Sequence, residues 1–381
     1  MTRAAADSGV FPVWPVVMAG IAGAAMFNLA PAFLASNAAW FGLDDRQIGW
    51  LMSAEIAGIA IASVLTLLFG HRGQLRTLAL IGLGVIVVGN LASLAAQTFS
   101  SYLVIRFLIG LFGDGFAYVT AVSTLGRHKN PTRAFATLSF SNMCFSGTAL
   151  LALSQSPESH TRLAVVVLFA LLSASAIAAW RRWPQFLDSG AESGSFQLRP
   201  LHILGLIGLF AFTANLGAVW GYAERLAEGT GLSGGEITAL LSVSIVFQAL
   251  GSLLAMFCSR YRRPDRILVI VAGLQIAGLW LLSGATGPWL YIGGLALWGG
   301  SWNLGIANLL GMLSMTRGGP RSLSLAPGVE AMGAASGPLL VVALIPFGTQ
   351  AAVPLVGILG ALTAIILALP MARRVFPRGR L

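Results

Sequence analysis

Four charged side chains stand inside long apolar runs: Glu55 in SAEIAGIAI, Arg106 and Asp114 in RFLIGLFGDGFAYV, and Glu330 in APGVEAMGAASGP. A charge near the centre of a membrane helix costs about 2.5–3.5 kcal/mol on insertion scales. Each must therefore face protein or water rather than lipid. Two chemistries meet that demand: an ion pair that locks helices together, or a carboxyl that takes up and releases a proton.

Spacing divides these roles. Eight residues of α-helix set Arg106 and Asp114 about 12 Å apart along the axis and about 80° around it, too far for a direct salt bridge. Glu55, on another apolar run, has a depth between the two and is the expected partner of Arg106. Asp114 is left near mid-membrane with no basic residue at its depth, which makes it the leading proton carrier. Glu330 is a further candidate for that role. A structural ion pair, or an acid that is permanently neutral and hydrogen-bonded, is the competing reading.

Neutral polar residues join them. Asn28, Asn142, Asn215, Gln248, Trp298, Trp302 and Asn303 all fall inside apolar runs. Trp298 and Trp302, four residues apart, share a helix face. Together these residues outline a site with aromatic walls and a few hydrogen-bonding groups, suited to a small organic solute. For each taken singly, helix packing through interhelical amides is the alternative.

The elements that must position these groups follow from composition and patterning. The chain has 381 residues, 56% hydrophobic and 9% charged, whereas soluble domains carry about 25% charged residues. Runs of about 20 apolar residues span a bilayer. Twelve are found, at 13–36, 47–69, 77–97, 102–125, 134–154, 162–180, 202–226, 236–258, 266–284, 288–312, 322–347 and 352–372. The first run is too long for a signal-peptide core and reads as a retained helix. With the N-terminus inside, all of the 23 Lys and Arg except Arg46, Arg106, Arg162 and Arg225 fall on the cytoplasmic side. That alternation fits twelve spans with both termini cytoplasmic.

The expected class is an all-α membrane protein with two pseudo-symmetric six-helix bundles. A cytoplasmic tail (1–12) precedes the first bundle (13–182). A cytoplasmic linker (183–201) containing SGAESGSFQLRP leads to the second bundle (202–372), and a basic tail (373–381) closes the chain. An internal repeat supports the duplication: Gly42, Leu43, Ile48, Leu51, Ser53 and Ser63 align with Gly231, Leu232, Ile237, Leu240, Ser242 and Ser252 at one constant spacing. SGTALLAL in the first half faces SGPLLVVAL in the second.

These features, with GLDDRQIGWLMSAEIAG at the start of the second span, RFLIGLFGDG in the fourth and HRGQLR between the second and third, resemble the major facilitator superfamily of secondary transporters. The resemblance runs along essentially the whole chain. It implies alternating access, with the first, fourth, seventh and tenth spans around a central cavity. Two departures stand out. His71 and Gln74 replace an aspartate and a glycine of the family's loop pattern around Arg72. The family's helix 5 antiporter signature is missing from NMCFSGTALL, although GAASGP occurs in the eleventh span.

The expected function is proton-coupled secondary transport of a small organic solute by a monomer in the bacterial-type inner membrane. Efflux of hydrophobic or drug-like compounds is the alternative, and a non-transporting sensor or scaffold on the same fold is the second. No enzyme, cofactor or metal site is expected: Cys144, Cys258 and the four histidines are scattered, and no phosphate loop or Ser/His/Asp spacing occurs. The net charge of +10 is spread over loops that set topology and does not point to nucleic acid.

Overall fold

The computed structural model describes residues 11–43, 45–69, 74–154, 158–184, 199–227, 230–232, 234–260, 264–316 and 322–375. Every regular element among them is helical. Nine helices among the described residues are long and apolar enough to cross a membrane. Val88, Leu151, Trp280 and Leu339 remain largely exposed on such helices, an apolar surface that a bilayer covers. This is a multi-pass membrane protein.

The first half comprises α1 (Trp14–Gly23), α2 (Ala25–Asn28), α3 (Ala30–Phe41), α4 (Asp45–Phe69), α5 (Leu75–Leu94), α6 (Phe99–Leu108), a π-helical segment (Ile109–Asp114), α7 (Gly115–Leu125), α8 (Pro131–Ser154) and α9 (Glu158–Ala179). The second comprises α10 (Pro200–Gly221), α11 (Ala223–Leu226), α12 (Gly234–Cys258), α13 (Pro264–Ser283), α14 (Pro288–Met315), α15 (Ala326–Leu344) and α16 (Thr349–Val375).

The first span differs from the continuous helix expected over 13–36. It is broken at Ala24 (φ −106°) and Leu29 (φ −113°), and it runs on to Phe41. Pro31 sits in the first turn of α3, where its missing N–H and fixed φ favour starting a helix over continuing one. The fourth span contains a π-helical turn where a regular helix is expected.

By contacts the chain forms two compact units. One is Met1–Lys129, Cys144–Gln197 and Pro320–Gly328; the other is Asn130–Met143, Leu198–Gly319 and Val329–Leu381. In the first, glycines bring three neighbours against the backbone of the fourth span. A Cβ on Gly58 of α4 would lie 2.7 Å from the Phe107 carbonyl oxygen, one on Gly82 of α5 2.7 Å from the Ala117 nitrogen, and one on Gly23 of α1 2.6 Å from the Tyr118 nitrogen. In the second, GAASGP packs α15 on α10: a Cβ on Gly333 would lie 2.6 Å from the Phe210 carbonyl oxygen, and one on Gly337 would overlap that of Ala214.

The internal repeat recurs as backbone geometry. Gly42 and Gly231, aligned in sequence, both take left-handed φ values of 62° and 72°. Gly82 lies against the Gly113 carbonyl and Ala117 amide as Gly278 of α13 lies against the Gly294 carbonyl and Trp298 amide of α14. Of HRGQLR, residues 71–73 lie outside the described residues, as do residues 1–10, residues 376–381 and most of the linker. The loop's last arginine, Arg76, holds its guanidinium 3.9 Å from the Trp180 ring centroid, and the Trp180 indole N–H donates to the Arg76 carbonyl at 2.9 Å.

Candidate functional site

The first unit holds a buried cluster of ionisable groups. Thr98 starts α6 by accepting from the Ser101 amide at 3.2 Å, and two turns later Arg106 points into the protein with 1% of its surface exposed. Its Nε donates to Glu55 Oε2 at 2.9 Å and its Nη2 to Glu55 Oε1. This two-point fork is the arrangement that suits a planar guanidinium and a carboxylate. Its Nη1 donates to Asn90 Oδ1 at 2.8 Å. The Asn90 amide nitrogen donates to the Ile86 carbonyl at 2.7 Å, which fixes Oδ1 toward the arginine. The Phe33 ring lies 4.7 Å from the guanidinium carbon, adding a cation–π contact.

Asp114, expected to stand apart, belongs to the same cluster. Its carboxyl lies beside that of Glu55, and its Oδ2 is buried with no hydrogen bond among the described residues. Glu55 and Asp114 are 0% and 3% exposed, so water does not screen them. The cluster therefore contains two carboxyl groups and one guanidinium. Glu55 balances Arg106. Two carboxyls held side by side repel one another when both are ionised, and a single proton relieves that repulsion.

The backbone allows this meeting. Gly110 stands midway between Arg106 and Asp114, and a Cβ there would overlap the Glu55 carbonyl oxygen. The Glu55 backbone thus rests on the helix between the two charges, and its side chain reaches both. Asn90 was not singled out in the sequence. It is an amide well inside the apolar run of the third span, the same signal that marked the other asparagines.

The second unit gathers neutral groups instead. Asn215 on α10 donates to Gln275 Oε1 on α13 at 2.6 Å and accepts from the Trp298 indole of α14 at 2.9 Å. Trp302 donates to the Phe212 carbonyl at 3.1 Å and stacks on that ring, centroids 5.6 Å apart. Asn303 accepts from Ser139 at 2.5 Å and from Ser252 at 3.3 Å, and donates to Gln248 Oε1 at 3.4 Å. Asn215, Trp298 and Asn303 are fully buried, while Trp302 remains partly accessible. Gln275, Ser139 and Ser252 complete these networks and were absent from the sequence candidates. Asn142 is buried on α8, and Asn28 is half-buried at the end of α2. Glu330 is half-buried on α15, within the second unit.

Solved structures share this architecture. FucP, the fucose:proton symporter of E. coli, matches in its outward conformation with TM-score 0.72 and 17% identity, over 97% of this chain and 99% of that one. The human organic anion transporter MFSD10 matches with TM-score 0.71 and 11% identity, over 96% and 100%. The proton:xylose symporter XylE, bound to 6-bromo-6-deoxy-D-glucose, matches with TM-score 0.70 and 13% identity, over 93% and 94%. No family model matches the sequence, and neither does any curated protein. The chain has the major facilitator fold.

Proposed function

We propose that the protein is a proton-coupled secondary transporter of a small organic solute, working by alternating access in a cell's inner membrane rather than as an enzyme. The observation that carries this reading is the charge count of the buried cluster: Glu55 and Asp114 share one cation, Arg106. Binding or losing one proton switches the cluster between neutral and singly negative. A change of net charge in a buried site alters the stability of the conformation that buries it. That is the energetic link a proton-driven carrier needs. The likeness in fold to FucP and XylE, both described as proton symporters, supports the same reading.

In this reading twelve segments span the bilayer. Nine are the long apolar helices; the others are the broken span α1–α3, α4, and the glycine-rich α14. The amides and tryptophans of the second unit would support a solute site, with the partly accessible Trp302 nearest to it. Arg106 is occupied by Glu55 and Asn90, which favours its role as a holder of the acid pair over that of a substrate ligand.

The test uses proteoliposomes with an imposed pH gradient and radiolabelled fucose, xylose and organic anions as probes. Gradient-driven accumulation of a probe by the wild type, lost in Asp114→Asn with counterflow retained, is the expected result. Equal accumulation by both proteins refutes the role of Asp114. Absence of uptake and counterflow for every solute tried would favour a sensor or scaffold.

A further inference from the structure

The π-helical turn has a job that no regular helix would do at this position. In an α-helix the eight-residue interval sets Asp114 about 80° away from Arg106 around the axis. A π turn closes its hydrogen bond five residues back rather than four, and so absorbs one extra residue. Here the Gly115 amide donates to the Gly110 carbonyl. Eight residues then wind like seven, and the two side chains fall within about 20° of one face. Both meet Glu55 on that face.

The packing agrees with such an insertion. A Cβ on Gly115 would lie 2.6 Å from the Gly110 carbonyl oxygen, the acceptor of the π bond. Glycines of three neighbouring helices clasp the turn and its borders: Gly58 lies against Phe107, Gly110 and Leu111, Gly82 against Gly113 and Ala117, and Gly23 against Asp114 and Tyr118. Within the turn, Phe112 is 40% exposed, so it contributes length rather than core packing.

We propose that the Ile109–Asp114 turn is the positioning element of the acid–arginine site, with Phe112 as its surplus residue. Its single extra residue brings Asp114 into register with Arg106 and Glu55. The proposal rests on the proton-site reading above and deepens it. The ionisable groups facing Asp114 are Glu55 and Arg106, with Tyr102 facing Arg106 one turn back. None of these lies in the turn between Arg106 and Asp114, so a change in the turn acts on geometry alone.

The consequence is unusual for a membrane helix. Deleting Phe112 should heal the turn to regular α-helix and leave Arg106 and Asp114 on one face, now seven residues apart. The converse is a swap, Gly113→Asp with Asp114→Gly, which keeps the chain length and moves the acid by about 100°. The readout is the infrared carbonyl band of a protonated carboxylic acid and its titration with pH, measured on purified protein without any transported solute.

The deletion should fold, keep the band and keep its titration midpoint. The swap should lose the band. A deletion variant that misfolds, or that folds without the band, overturns the proposal. So does a swap that retains it. Asp114→Asn separates the two ideas: if that variant keeps the band, the proton-site reading itself has failed, whatever the other two show.

Discussion

The two units build similar helix contacts around opposite chemistry. Gly82 meets the fourth span as Gly278 meets α14, through a glycine carbonyl and the amide four residues on. Yet the first interior holds an ionic cluster, Glu55, Arg106 and Asp114, while the second is built around a neutral network of Asn215, Gln275, Trp298, Gln248 and Asn303, and the half-buried acid Glu330 stands on its α15. A neutral amide network has one charge state at any physiological pH. A cluster with two carboxyls and one guanidinium has more than one. Response to protons through a charge-sharing cluster therefore belongs to the first unit, and hydrogen bonding through a neutral network to the second.

Energetics offers the hardest way to break that comparison. Removing one partner of a buried ion pair costs about 3–5 kcal/mol, because the other charge stays buried. Arg106→Leu should lose that much in equilibrium unfolding in mixed micelles, since it leaves two acids without a cation. Removing both charges of the pair, with Glu55→Gln and Arg106→Gln together, should recover most of the loss. It should still shift the pH dependence of gradient-driven accumulation, because Asp114 then has neither a carboxylate nor a cation beside it. If the double variant is as unstable as Arg106→Leu, the ion pair is not what holds α4 to the fourth span.

What was legible in the sequence divides along the same line. The Arg106–Glu55 contact follows from depth alone, because both residues sit on spans that run the same way, and the structure has them in contact. The place of Asp114 does not follow. Angular position was counted at 3.6 residues per turn, and the π turn breaks that count within the interval that mattered. Glycines 110, 113 and 115 were visible, but a run of glycines marks close packing as readily as a change of winding. In the second unit Asn215, Trp298 and Asn303 were found as polar residues in apolar runs. Gln275 carries the same signal and was passed over. Pro31 was equally visible as a breaker, yet hydropathy averages across it and reports one span where the backbone makes three helices.

The repeat allows a milder test, in which the units should behave alike. Gly42 and Gly231 have left-handed φ values and open space around a would-be Cβ. Alanine at either site therefore meets only the backbone cost of that conformation, about 1–2 kcal/mol. Gly42→Ala and Gly231→Ala should each lower unfolding stability by that amount, with no change in the pH dependence of transport. A large difference between them would mean that the aligned turns are not equivalent.

The smallest expected effect is the sharpest on chemistry. Trp298→Phe removes one indole N–H, leaves Asn215 its bond to Gln275, and keeps an aromatic ring in the core. Interhelical hydrogen bonds within a membrane contribute about 0.6 kcal/mol on average, because the alternatives also find partners. A loss of that order should appear in micellar unfolding, with some addition for the smaller ring. Solute affinity is free to change, since α14 carries the partly accessible Trp302 four residues on. The pH midpoint of gradient-driven accumulation should not move, because no titratable group touches Trp298 in the network of Asn215 and Gln275. A moved midpoint would show that proton response reaches the amide network, and the contrast between the ionic cluster and that network would no longer describe how this protein works.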